Sequence, residues 1–231
     1  MSRLSNIAKM APRVSAEQVY DVLHGRIVRG ELRPGDQLSE TKVAEAFGLS
    51  RTPVREVFWR LGEDGFLRVV PQVGTFVAPI SVPAVYDSQF VRETLECRAV
   101  SDAAKRVTAS DAASLHALLA GQDAALAARD FAAFFALDEA MHRTLMEAAG
   151  RPLVWPVIAG AKAQLDRVRF LSLESGEWPD MIMAQHRELV AAVIGHDGRG
   201  AVRVMTAHLR TAFAAIERIA AAHPDFFEGA D

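Results

Sequence analysis

Three histidines and one aspartate in the C-terminal two thirds of this 231-residue chain are of the types that bind metal ions, and their spacing places them on apolar helix faces. Read at about 100° per residue, Phe131, Phe135, Asp138, His142, Leu145 and Ala149 fall within about 40° of one line. Asp138 and His142 are therefore turned toward a core, where polar side chains are costly unless partnered. The same projection aligns His186 with Ile182, Val190 and Val193, and His208 with Val204, Ala212, Ala215 and Ile219. Imidazole and carboxylate suit zinc, nickel, iron or manganese, and the Asp-x-x-x-His spacing offers two ligands one turn apart to a single ion. A lone core histidine is more often a hydrogen-bonded packing residue. Four such groups on three helices favour a divalent metal ion. His24, His116, His196 and His223 lack this company and read as structural or solvated.

The elements that must carry these groups are helical. After Pro83, breaks near Thr108–Ser110, Arg129–Asp130, Gly150–Pro152, Ser175–Pro179 and Asp197–Gly200 divide the chain into six helices, which predicts an antiparallel all-α bundle. The composition, 50% hydrophobic and 24% charged, is that of a globular protein with room for a buried core. Cys97 is the single cysteine, so no internal disulfide forms, and it reads as a small packed residue. The first thirteen residues lack an apolar run of signal-peptide length, and Pro71, Pro79, Pro83 and Gly74 interrupt the long charge-free stretch from Val69 to Tyr86. No membrane association and a cytoplasmic location are expected.

The net charge of −3 is unevenly placed: residues 1–80 hold 11 Lys/Arg against 9 Asp/Glu, and the remainder hold 15 against 20. Any phosphate-contacting surface belongs at the N-terminal end. There, Ser15 and Gln18 make a capping-box pattern before a helix over about residues 16–29. A second helix covers roughly residues 40–47 and is stopped by Gly48; Ser50 is placed to cap a third, about residues 51–63. Phe66–Val70 and Thr75–Ala78 then form a small hairpin around Pro71-Gln72-Val73-Gly74. Helix, helix, tight turn, helix and hairpin is the order of a winged helix-turn-helix. The fold expected is thus mainly α: a winged helix-turn-helix at 15–78 after a tail at 1–14, a linker at 79–83, a helical domain at 84–222 and a tail at 223–231. Val54, Val57, Phe58 and Leu61 face the core of the third helix, leaving Arg51, Thr52, Arg55 and Glu56 toward a major groove, with the Gln72–Gly74 loop short enough for a minor groove.

The runs Leu32-Arg33-Pro34-Gly35-Asp36-Gln37-Leu38, Leu49-Ser50-Arg51-Thr52-Pro53-Val54-Arg55-Glu56 and Gly74-Thr75-Phe76-Val77 resemble the GntR family of bacterial transcriptional regulators. That resemblance implies a homodimer on double-stranded, pseudo-palindromic operator DNA, with contacts from Arg51, Thr52, Arg55, Gln72 and Gly74. Some members carry an arginine where this chain has Ser39, which shifts weight to Arg51 and Arg55. Residues 83–222 resemble the FCD ligand-binding domain of the FadR-type branch, in its six-helix VanR-like group. Metal-binding members match Asp138, His142, His186 and His208, and the resemblance implies a small organic acid bound beside the ion. Arg92 and Glu96, one turn apart on a largely apolar face, read either as an intrahelical ion pair or as a clamp for such a carboxylate effector. The protein expected is a ligand-responsive regulator. One alternative is a metal sensor whose ion is itself the signal. A metal-dependent enzyme is the weaker alternative, since no separate general base, nucleophile elbow or phosphate cradle accompanies the four ligands.

Overall fold

The computed structural model describes residues 14–173, 178–214 and 216–228, without the side chains of residue 178 and residues 212–214. The expected N-terminal tail and most of the expected break at Ser175–Pro179 lie outside these residues. The chain divides into two compact units, Met1–Val82 with His223–Asp231, and Pro83–Ala222.

In the first unit, helix α1 (Ala16–Val28) opens on the capping box: Gln18 N–H donates to Ser15 Oγ at 3.2 Å and Ser15 N–H donates to Gln18 Oε1 at 2.8 Å. Helix α2 (Glu40–Phe47) ends at Gly48, whose φ of 67° suits the left-handed cap. Helix α3 (Arg51–Glu63) follows. Ser50 holds its N-cap position with an extended backbone, but the hydroxyl makes no capping hydrogen bond, so the expected cap is positional only. Strands β2 (Leu67–Val70) and β3 (Gly74–Val77) pair antiparallel, with Val69 opposite Thr75. A strand absent from the sequence reading, β1 (Gln37–Leu38), pairs with the other edge of β3 and gives the order β1-β3-β2. Val19, Leu23 and Ile27 of α1 and Val54 and Leu61 of α3 are buried in the core of this unit.

The segment expected as a C-terminal tail is part of this unit. Pro224–Phe226 forms one 3₁₀ turn, Ile80 N–H donates to Phe226 O at 2.7 Å, and Glu228 N–H donates to Ile80 O at 3.0 Å. Phe226 and Phe227 are both buried. The Phe226 ring lies under the Arg33 guanidinium and against Gly30, where a Cβ would meet ring carbons at 3.2 Å. Two adjacent phenylalanines bury too much apolar surface to remain in water.

The second unit contains α4 (Val82–Arg106), α5 (Ala109–Ala127), α6 (Phe131–Ala148), α7 (Val154–Ala161), α8 (Ala163–Leu173), α9 (Trp178–Ile194), α10 (Gly198–Ala214) and α11 (Ile216–Ala222). Helix α4 starts inside the expected linker because Pro83 sits in its first turn, where proline is tolerated. Helix α5 packs on α6 and α9, and α9 packs on α10. The expected fourth helix is two, broken at Lys162. The Lys162 ammonium lies near the Trp155 and Phe135 rings and bonds Glu139 at 2.5 Å and Asp166. Every side chain of α8 is buried, including Gln164, Asp166, Arg167, Arg169 and Ser172. Charges in such a place persist only when paired.

Candidate functional site

Asp138 and His142 on α6, His186 on α9 and His208 on α10 meet inside the helical unit. One ligand atom from each lies within 4.8 Å of the others, and all four residues are buried. Helical phase brings Asp138 and His142 to one side of α6, and the packing of α9 against α10 delivers the other two.

Each of the four has an outer partner on another element or turn. Arg169 of α8 holds Asp138 by its Oδ2, while Glu139 at 2.7 Å and Asp166 at 2.9 Å hold Arg169. Glu96 of α4 accepts from His142 Nδ1 at 2.5 Å. Gln122 of α5 accepts from His186 Nδ1 at 2.7 Å. Gln185 of α9 accepts from His208 Nδ1 at 3.2 Å.

These partners fix where the ring protons sit. Glu96 is a carboxylate and accepts only. Gln122 Nε2 donates to Leu137 O at 3.3 Å, so its carbonyl oxygen is the end facing His186. The Thr211 hydroxyl donates to Ala207 O at 2.8 Å, so it accepts from Gln185 Nε2 at 2.8 Å and leaves Gln185 Oε1 for His208. All three rings therefore carry hydrogen on Nδ1 and turn Nε2 inward. His142 Nε2 and His208 Nε2 are 3.2 Å apart, and His186 Nε2 is 3.1 Å from Asp138 Oδ1. The His186 Nε2 is buried without a hydrogen-bond partner.

The electrostatics agree with a donor set. Burial pushes His186 and His208 below the usual histidine range and favours the neutral rings that bind metals. Burial would raise the Asp138 carboxyl, but the Arg169 guanidinium reverses this and holds it well below the usual carboxylate range. Likewise burial opposes ionisation of Glu96, yet Arg92 and His142 bring its pKa down to about 2. One carboxylate and three inward-facing Nε2 atoms, with outer partners fixing their orientation, fit a divalent cation.

Beside the donors lies a cavity of about 30 Å³, lined by Arg92, Asp138, Arg169, Ser172 and His208 with Phe134, Phe135, Leu173, Ile182 and Leu209. That is room for a water or two. Arg92 is buried, donates from Nε to Glu96 Oε1 at 2.6 Å, and brings Nη2 to 3.5 Å from His142 Nε2. Glu96, expected beside Arg92 at an effector, has both oxygens taken inside this network and does not line the cavity.

In the other unit, Arg51, Thr52 and Arg55 are exposed on α3. Glu40 at the start of α2 lies 3.5 Å from Arg51 and 3.5 Å from Arg55, and restrains both guanidiniums. At the hairpin tip Gln72 has a φ of 62°, and Gly74 has a φ of 149°, a conformation that favours glycine.

Residues 15–77 match the family described as bacterial regulatory proteins, gntR family, and residues 87–211 match the FCD domain. The HTH-type transcriptional repressor RspR of Escherichia coli (strain K12) is 35% identical over 91% of this chain and 92% of its own length. An uncharacterised HTH-type transcriptional regulator from an unstable DNA locus of Streptomyces ambofaciens is 37% identical over 96% of this chain and 93% of its own. The chain belongs to the GntR family. Its fold is that of solved relatives: E. coli McbR/YncC superposes with a TM-score of 0.76 at 23% identity, covering 89% of this chain and 99% of that one. A putative GntR regulator from Rhodococcus sp. RHA1 gives 0.73 at 22% identity, covering 90% and 98%.

This GntR-family protein is a DNA-binding transcriptional regulator with an effector-binding FCD domain, and not an enzyme. Among its described residues no helix is long and apolar enough to cross a membrane. The outer partners Gln122, Gln185 and Arg169 escaped the sequence reading. Gln122 left a signal: it lies seven residues after Leu115 on the buried face of α5, a polar side chain out of place in the way Asp138 is.

Proposed function

We propose that this regulator binds a divalent metal ion through Asp138, His142, His186 and His208, and a small organic acid beside it that modulates operator affinity. The observation that carries the reading is the convergence of three Nε2 atoms and one carboxylate oxygen, with every Nδ1 turned to an outer acceptor. The ion, when bound, supplies positive charge that attracts a carboxylate. The Arg92 guanidinium lines the adjoining cavity and is placed to pair with the same anion. An acid of several carbons needs that cavity to widen, so its binding is coupled to movement of the apolar lining. Two such chains form the homodimer that presents a pair of α3 helices to an operator. Arg51, Thr52 and Arg55 contact the major groove, and Gln72 and Gly74 bring the hairpin to the minor groove. RspR is named a repressor, and the same sign of regulation is proposed here.

The cavity's size favours a second reading, in which the ion alone is the signal. One experiment separates the two. Operator fragments selected from random duplexes are titrated with chelator-stripped and metal-loaded protein, with and without a panel of small carboxylic acids. An affinity change that requires an acid supports the first reading, a change with metal alone supports the second, and no change with either overturns both.

A further inference from the structure

We infer that Trp59 is an apolar operator contact, meeting thymine methyl groups in the major groove. This rests on α3 being the DNA-reading helix. At about 100° per residue, placing Arg51 at zero puts Arg55 near 40°, Trp59 near 80° and Thr52 near 100°. The buried residues Val54, Val57, Phe58 and Leu61 occupy the opposite side. Trp59 thus stands in the middle of the outward stripe, about 12 Å along the axis from Arg51. Its side chain is 68% exposed.

Most of the indole is open to solvent. Its face is also graded in charge. Arg51 and Arg55 lie on one flank, and Glu56 and Glu63, both exposed, lie on the other at roughly 120–140°, with Arg60 beyond them near 180° and paired to Glu17. Phosphates are drawn to the arginine flank and repelled from the acidic one, so the surface between them is turned to base edges rather than backbone. Base edges in the major groove offer one apolar feature, the C5-methyl of thymine. The remaining exposed large apolar residues of this unit, Val69 and Val73, lie on β2 and at the hairpin tip, the other element of a winged reader. The exposed apolar side chains among this unit's described residues thus lie on the two elements by which a winged fold reads DNA, and the place of Trp59 one turn from Arg55 assigns it to the duplex.

The test compares full-length wild type, Trp59→Ala and Arg55→Ala on a selected operator and on the same duplex with deoxyuridine replacing thymidine. Trp59→Ala is expected to bind the thymidine operator about tenfold more weakly. Its salt dependence should be unchanged, because no phosphate contact is lost. Wild type should lose affinity on the deoxyuridine duplex, and Trp59→Ala should lose none further. In a Trp155→Phe, Trp178→Phe background, Trp59 fluorescence should respond to the thymidine operator. Equal loss for both duplexes in the variant, unchanged operator affinity, or a Trp59→Ala protein altered only in oligomeric state overturns the inference. If Arg55→Ala weakens binding while Trp59→Ala does not, α3 remains the reading helix and this inference alone fails.

Discussion

His142 Nε2 and His208 Nε2 face each other at 3.2 Å, while Nδ1 of each ring is turned to an outer acceptor, Glu96 for His142 and Gln185 for His208. The four donors are assembled only in the folded chain, so an ion bound to them should stabilise the fold. Adding zinc, nickel or manganese to stripped protein is expected to raise the unfolding midpoint. At a hundredfold excess over Kd the gain is about 2.7 kcal/mol. Asp138→Ala and His208→Ala should abolish the shift in a thermal melt, and an undiminished shift in both variants would place the ion elsewhere.

The outer partners make a separate prediction. Gln122→Leu and Gln185→Leu remove the acceptors that keep hydrogen on Nδ1 of His186 and His208. With the tautomer free, metal affinity should fall about tenfold to hundredfold although all four ligands remain. Competition against a chromophoric chelator measures this directly. Affinity equal to wild type would mean that the rings are oriented by packing alone.

On the DNA side, Arg51→Ala and Arg55→Ala should each weaken operator binding. Where a phosphate contact is lost, the slope of log affinity against log salt should flatten by about one. Glu40 pairs with both guanidiniums, so Glu40→Gln frees them and removes a negative charge near the duplex. Binding to non-operator DNA should rise in that variant. A salt titration across these three variants, the Arg51→Ala, Arg55→Ala double variant and wild type decides the matter, and unchanged binding by the double variant refutes this placement of the reading surface.

Phe226 fills a site formed by Gly30 and Arg33 of the first unit. Truncating this buried ring to alanine should cost about 3–5 kcal/mol. Hydrogen exchange is the appropriate probe, since two units need not unfold together. The Ile80 amide, which donates to Phe226 O, should lose protection first, with amides of α6 and α9 unaffected.

Much of this site was legible in the sequence because helical phase is local. Asp138, His142, His186 and His208 each sit where an apolar residue belongs, and the misfit is visible within two turns. The capping box at Ser15 and the stop at Gly48 are equally local. What escaped depends on distant pairing. Strand β1 is two residues long and exists because Gln37 and Leu38 meet Phe76 and Thr75. The break at Lys162 has no proline at its position, and the ammonium there pairs with Glu139 of another helix as well as with Asp166. Arg169 as the partner of Asp138 cannot be read from a spacing, since 31 residues separate them. The return of Phe226 and Phe227 to the first unit was hidden by their polar surroundings, and the only local hint was two aromatics side by side.

That return has a consequence for biosynthesis. Residues 223–228 leave the ribosome after the whole helical unit, yet they complete the unit that was made first. Domains ordinarily finish folding in the order of their synthesis. Here the DNA-reading unit of a nascent chain stays unfinished until the ligand-binding unit has emerged, so operator recognition and effector control mature together.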